Sequence, residues 1–144
     1  KYFTSALKVF EDAKDQRLMA EYYLKRAVLY HTTGQFDRAL GDINKAEKYS
    51  KAINDESLIF QSSLHKLLNE FVIEKISQSK AVKSIEKLYQ KSLKMEDQAL
   101  YYYHLWKIGN IDQNKEKSLS IYKDLDKEKP SYFFKKHISA LHIK

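Results

Sequence analysis

Five histidines, two pairs of neighbouring carboxylates, a series of lysines and a run of aromatics are the side chains of this chain whose types and spacing could do chemistry. The histidines are His31, His65, His104, His137 and His142. A helical zinc site needs two imidazoles four residues apart, so that both point from one face. No two of the five have that spacing, and no His-Glu-x-x-His occurs. No metal or other cofactor is therefore expected, and His104, set among aromatics, reads as a packed residue. General acid–base catalysis needs two carboxylates in different environments. Glu11/Asp12 and Asp124/Asp126 instead stand among basic neighbours and read as solvated helix faces. Cysteine is absent, which removes thiol nucleophiles and disulfides and fits either a reducing or an oxidising compartment. There is no glycine-rich phosphate loop and no nucleophile elbow, so an enzyme is not expected.

Two features suited to binding remain. Lys80, Lys83, Lys87, Lys91 and Lys94 step by three and four residues, which on a continuous helix gathers them onto one basic face. That face is either plain solvated surface or a dock for an anion. Residues 101–106 read Tyr-Tyr-Tyr-His-Leu-Trp, and one helix cannot bury six such neighbours on one side. Some of Tyr102, Tyr103 and Trp106 must face out of the local core, either against a neighbouring helix pair or towards a ligand. The formal charge of +7 adds little to the anion reading, because the 26 basic residues include only three arginines, Arg17, Arg26 and Arg38. Readers of phosphate and bases rely on the bidentate guanidinium.

These side chains must be held by helices. One proline and three glycines in 144 residues leave few strand or turn signals and no linker, so an all-α chain forming a single domain over 1–144 is expected. Residues 20–49 carry the clearest pattern. Tyr23, Ala27 and Tyr30 recur at helical spacing, a turn follows at Thr33-Gly34-Gln35, and Phe36, Ala39, Leu40, Ile43 and Ala46 recur on a second helix. Small residues at 27, 39 and 46 allow two backbones to approach closely. This hairpin resembles the tetratricopeptide repeat (TPR), a helix-turn-helix unit of about 34 residues. It departs from that pattern at Arg26, where a leucine is usual, and at Lys51, where a proline is usual.

The rest of the chain repeats parts of the hairpin. Phe3, Ala6, Leu7, Phe10 and Ala13 match its second helix, so 2–14 is expected to be a second helix without a first, in a piece of a longer protein. Asp-x-x-Leu at Asp15, Asp55 and Asp97 marks three first-helix starts, with each aspartate as N-cap. The helix from Asp55 is expected to reach about Ile76 and to exceed its counterpart in length. After a turn at 77–79, a partner helix follows with Val82, Ile85, Tyr89 and Leu93 on one face and Ser84 as its small residue. The third hairpin turns through Gly109 to Asn114, where it is similar to Sel1-like repeats, and carries Ser118, Leu119, Tyr122 and Leu125 on its second helix. Pro130 stops it, and a final helix from Ser131 with Phe134, Ile138 and Leu141 covers the end.

The resemblance implies a right-handed superhelix of antiparallel hairpins, a TPR-like α-solenoid, that binds a peptide or partner helix on its concave face as part of a bacterial scaffold or regulator. On the first helices it selects Glu21, Leu24, Val28 and His31, then Gln61 and Leu64, then Tyr103 and Trp106, as the ligand groove. Leucine and valine at 24 and 28 disfavour a clamp for a C-terminal carboxylate. The alternative is an RNA- or anion-binding helical repeat that uses the lysine face. No apolar run is long enough to span a membrane.

Overall fold

The Asp15 carboxylate accepts a hydrogen bond from the Leu18 amide at 3.1 Å, and Asp55 accepts one from the Leu58 amide at 2.9 Å. Each satisfies one of the free N–H groups of a first helical turn, which is why helices begin there. In the computed structural model, which describes residues 15–142, these caps open α1 (Gln16–Thr32) and α3 (Glu56–Val72), with α2 (Phe36–Ala52) between them. The expected half-hairpin at 2–14 and the Glu11/Asp12 pair lie outside the described residues. The chain then continues as α4 (Gln78–Glu86), α5 (Met95–Gly109), α6 (Asp112–Glu128) and α7 (Tyr132–His142). Among the described residues there is no strand, and none of the helices is long and apolar enough to cross a membrane. The chain divides between Lys75 and Ile76 into two compact units.

In the first unit α1, α2 and α3 are each 17 residues long and begin at 16, 36 and 56. The period of 20 comes from one stop signal used three times. Gly34, Asn54 and Glu74 all adopt left-handed backbone, with φ of 78°, 53° and 62°. Around each, the amide of the left-handed residue donates to the carbonyl three residues back, and the next amide donates to the carbonyl five back: Gln35 to Tyr30, Asp55 to Ser50 and Lys75 to Glu70. This Schellman pattern consumes the last free carbonyls of the helix. The third helix therefore ends at Val72 rather than near Ile76 and equals its counterpart in length. Glu74 is exposed and has a Cβ that the left-handed region penalises. Glu74→Gly is expected to raise stability by about 0.5–1 kcal/mol, net of the extra freedom that glycine gives the unfolded chain. A urea midpoint that falls instead would show that the helix does not stop there.

The hairpin of α1 and α2 closes as its small residues suggest, with Ala27, Ala39 and Ala46 buried. Arg26 reaches across it. Its Nε and one terminal nitrogen donate to the two oxygens of Asp42 at 2.6 and 2.8 Å, and its guanidinium lies 5.4–5.7 Å from the ring centres of Tyr22, Tyr23 and Tyr30. The Asp42 carboxylate raises the Arg26 pKa further, so the charge is permanent. The residue that departs from the TPR pattern thus bridges the two helices. Packing α3 onto α2 and α1 completes the unit, helped by Arg17 bonding to Asp55 and by the Asn69 amide donating to the Phe36 carbonyl at 3.3 Å.

In the second unit each helix packs on the next, α4 on α5, α5 on α6 and α6 on α7. Ser77 caps α4 by accepting from the Lys80 amide at 3.2 Å. Several expectations fail here. The helix of the lysine series ends at Glu86, and a turn carries the chain to Lys94, with Ala81 in place of Ser84 as the fully buried small residue beside Ile85. Asp97 is not a cap, because α5 already starts at Met95 after Lys94. It sits buried in the first turn, where a carboxylate still meets the positive end of the helix. A first-turn preference locates the turn and leaves the capping residue open. The turn after α5 is also shorter than expected. Asn110 takes a left-handed conformation with φ 56°, and α6 begins at Asp112. Ser118 donates to the Ala99 carbonyl at 2.9 Å where α5 and α6 cross, and Phe134 and Leu141 of α7 are buried against the same cluster as Tyr122.

Candidate functional site

The first unit spends part of the expected groove on its own core. Because α1 is covered by both α2 and α3, its buried stripe is wide and takes in Met19, Ala20, Tyr22, Tyr23, Leu24 and Ala27. Leu24, 5% exposed, packs with Met19, Tyr23, Ala46 and Leu58, and Leu64 is fully buried on α3. Neither can line a groove. The face aligned for a ligand is partly the face that α3 covers. Glu21, His31 and Gln61 are half-buried, and only Val28, 38% exposed, is open to solvent.

His31 nevertheless lies in an informative place. Its Nε2 is buried without a hydrogen-bond partner, and the Phe36 ring meets the imidazole edge-on at 5.3 Å. Burial lowers its pKa. His65 on α3 is pushed down from 6.5 to about 4, first by burial and then by the charge of His31. Both rings are therefore neutral in the fold at pH 7. The unfolded chain binds protons below about pH 6.5, and the folded one resists them. The stability contributed by these rings is complete above pH 6.5 and is lost as the pH falls towards 4. Urea midpoints taken from pH 7.5 to 4 should decline through that window, and His65→Leu should flatten the decline. An equal slope in the variant would place His65 in solvent.

The second unit holds the remaining predicted residues. Tyr101, Tyr103 and Leu105 point inward, while Tyr102 and Trp106, four residues apart on α5, stay half-buried. Tyr103 is thus a core residue, 4.7 Å from the His137 ring of α7 and 6.0 Å from Trp106. Tyr122 stands 4.9 Å from the same histidine with its hydroxyl buried and unpartnered, and burial raises its pKa. Burial likewise pushes the Tyr101 hydroxyl up to about 12. These phenols stay protonated and serve packing. Asp126, expected to be plain solvated surface, instead organises the start of α7: it accepts from the Ser131 amide at 3.0 Å and from the Lys135 ammonium at 2.9 Å.

Lys80, Lys83, Lys87, Lys91 and Lys94 are all exposed but do not form one helical stripe. Lys80 and Lys83 ride on α4, Lys87 follows its last residue, and Lys91 and Lys94 belong to the connection before α5. Different lysines meet the aromatics. Lys115 places its ammonium 5.3 Å from the Trp106 ring centre, and Lys117 places its own 5.2 Å from Tyr102. Sequence reasoning missed both, although the antiparallel return of α6 past α5 supplies the signal: 106 with 115 and 102 with 117 fall about one reflection point. Among the described residues no group of three or more histidines and carboxylates could hold a metal ion. No family model matches this chain, and neither does any curated protein or solved structure.

Proposed function

We propose that the chain is a non-catalytic protein-interaction module built of TPR-like hairpins in a right-handed superhelix, binding a peptide or partner helix as part of a scaffold or regulator. The observation that carries this reading is the ridge of Tyr102 and Trp106, which pack in part against Tyr89 and Tyr101 and against the Tyr103–Tyr122 cluster, yet stay only half-buried and leave part of each ring accessible. Aromatic side chains of this size dominate interface energies where they are left accessible. The hairpin of α1 and α2, with alanines at its crossing, supports the TPR-like part.

Trp106 is the only tryptophan, so its fluorescence reports the ridge directly. Iodide should quench it partially, and peptides selected by the chain from an immobilised array should protect it. Trp106→Ala should then remove that binding without loss of helical signal. If the selected peptides bind the variant equally well, the ridge is not the binding surface. The alternative is an RNA- or anion-binding repeat that uses Lys80, Lys83, Lys87, Lys91 and Lys94, all exposed although divided between α4 and the connection after it. An electrostatic binder of RNA loses affinity steeply as salt rises and keeps its affinity in Trp106→Ala.

A further inference from the structure

The net charge is unevenly placed. Residues 1–75 hold 12 basic and 11 acidic side chains, whereas 76–144 hold 14 lysines, no arginine and 8 acidic side chains. Nearly all of the chain's excess positive charge therefore belongs to the segment that carries the aromatic ridge. Lys115 and Lys117 form no ion pair among the described residues, and both ammoniums stand at the rings of Trp106 and Tyr102. We propose that this face of α5 and α6 docks an acidic segment of a partner protein, with an apolar side chain on the Tyr102–Trp106 ridge and carboxylates on Lys115 and Lys117. The proposal rests on the interaction-module reading and names the chemistry of its partner.

The geometry favours carboxylates on a peptide over a nucleic acid. Strand binders need a run of open ring faces, and here a lysine ammonium lies against each of two half-buried rings, leaving only part of each for a single apolar side chain. Phosphate recognition also leans on forked guanidinium groups, and this segment has none. An ammonium held beside an aromatic ring is a point charge whose stem is already ordered, so pairing it with a carboxylate costs less side-chain freedom than pairing a loose surface lysine. Tyr102 and Trp106 are one helical turn apart, about 6 Å along the axis, which suits one apolar side chain flanked by acids.

The test uses four probes: a synthetic dodecapeptide of glutamates interspersed with leucine and phenylalanine, its glutamine-for-glutamate counterpart, poly-L-glutamate and a dodecauridylate. The acidic peptide should change Trp106 fluorescence, should weaken as salt is raised, and should outcompete both polymers. Lys115→Gln with Lys117→Gln should reduce its affinity by about tenfold or more, as expected for two charge contacts, whereas Lys80→Gln with Lys83→Gln should not. Equal affinity of the double variant at 115 and 117, or competition by the dodecauridylate as strong as by the peptide, overturns the proposal. Binding of the glutamine peptide as tight as that of the acidic one, still lost in Trp106→Ala, overturns the acidic partner while leaving the interaction module standing. No peptide response at Trp106 in any arm removes both.

Discussion

Arg26→Ala is expected to destabilise the first unit by about 3–5 kcal/mol, because it strands a carboxylate inside the fold. Asp42 is only 3% exposed, and two hydrogen bonds from Arg26 hold its oxygens. Removing the guanidinium leaves the charge without water and without a partner. A loss of that size is a large share of the 5–15 kcal/mol that holds a typical domain together. Arg26→Lys should recover only part of it, since an ammonium cannot make the fork or stack among Tyr22, Tyr23 and Tyr30. Arg26→Met with Asp42→Leu should come back to roughly the original stability, as buried pairs replaced by apolar residues of similar size often do. Urea unfolding of the four proteins checks the set. If Arg26→Ala keeps its midpoint, Asp42 has found another donor and the bridge is not what joins α1 to α2.

Leu64→Ala should cost about 2–5 kcal/mol, the range for deleting three methyl or methylene-sized groups from a core that can collapse only partly. Leu64 has no exposed surface and sits on the helix that packs on both others of its unit. The comparison is Val28→Ala on the neighbouring helix, where an exposed side chain should change stability by no more than about 0.5 kcal/mol. Denaturant midpoints for the two variants decide the matter. A small loss at Leu64 would mean that α3 lies loosely on α1 and that the residue is free to meet a ligand.

The parts of the fold that could be read from the sequence are those where one residue type meets one physical need. Gly34 marks a left-handed turn because glycine alone adopts that backbone without cost, and the α1–α2 boundaries followed from it. Asn54 and Glu74 occupy the same conformation without being glycine, so the 20-residue period is not visible in the sequence and the apolar pattern runs on past the true end of the third helix. The lysine face failed for a related reason. Its spacing continues through residue 94 as though the helix did, and nothing in the local sequence announces the stop at Glu86. Arg26 was visible as a departure, but its partner 16 residues away depends on how two helices cross. The surface was harder still. Counting angles puts some of Tyr102, Tyr103 and Trp106 outside the local core without saying which, and burial claims Tyr103 as well as Leu24 and Leu64, the last two because α1 has two neighbours instead of one.

The three equal helices of the first unit also bear on how quickly it can form. A turn of three residues follows both α1 and α2, so α2 folds back on α1, and α3 on α2, with only a short loop to close. The bridge from Arg26 to Asp42 spans 16 residues, and Asp55 meets Arg17 across 38. Chains dominated by such near neighbours lose little entropy before their contacts repay it, and helical proteins of this kind fold in microseconds to milliseconds. Synthesis adds about 5–20 residues each second. The α1–α2 hairpin therefore has time to close and secure its ion pair once both helices have left the ribosome, and α3 then packs onto a surface that is already formed.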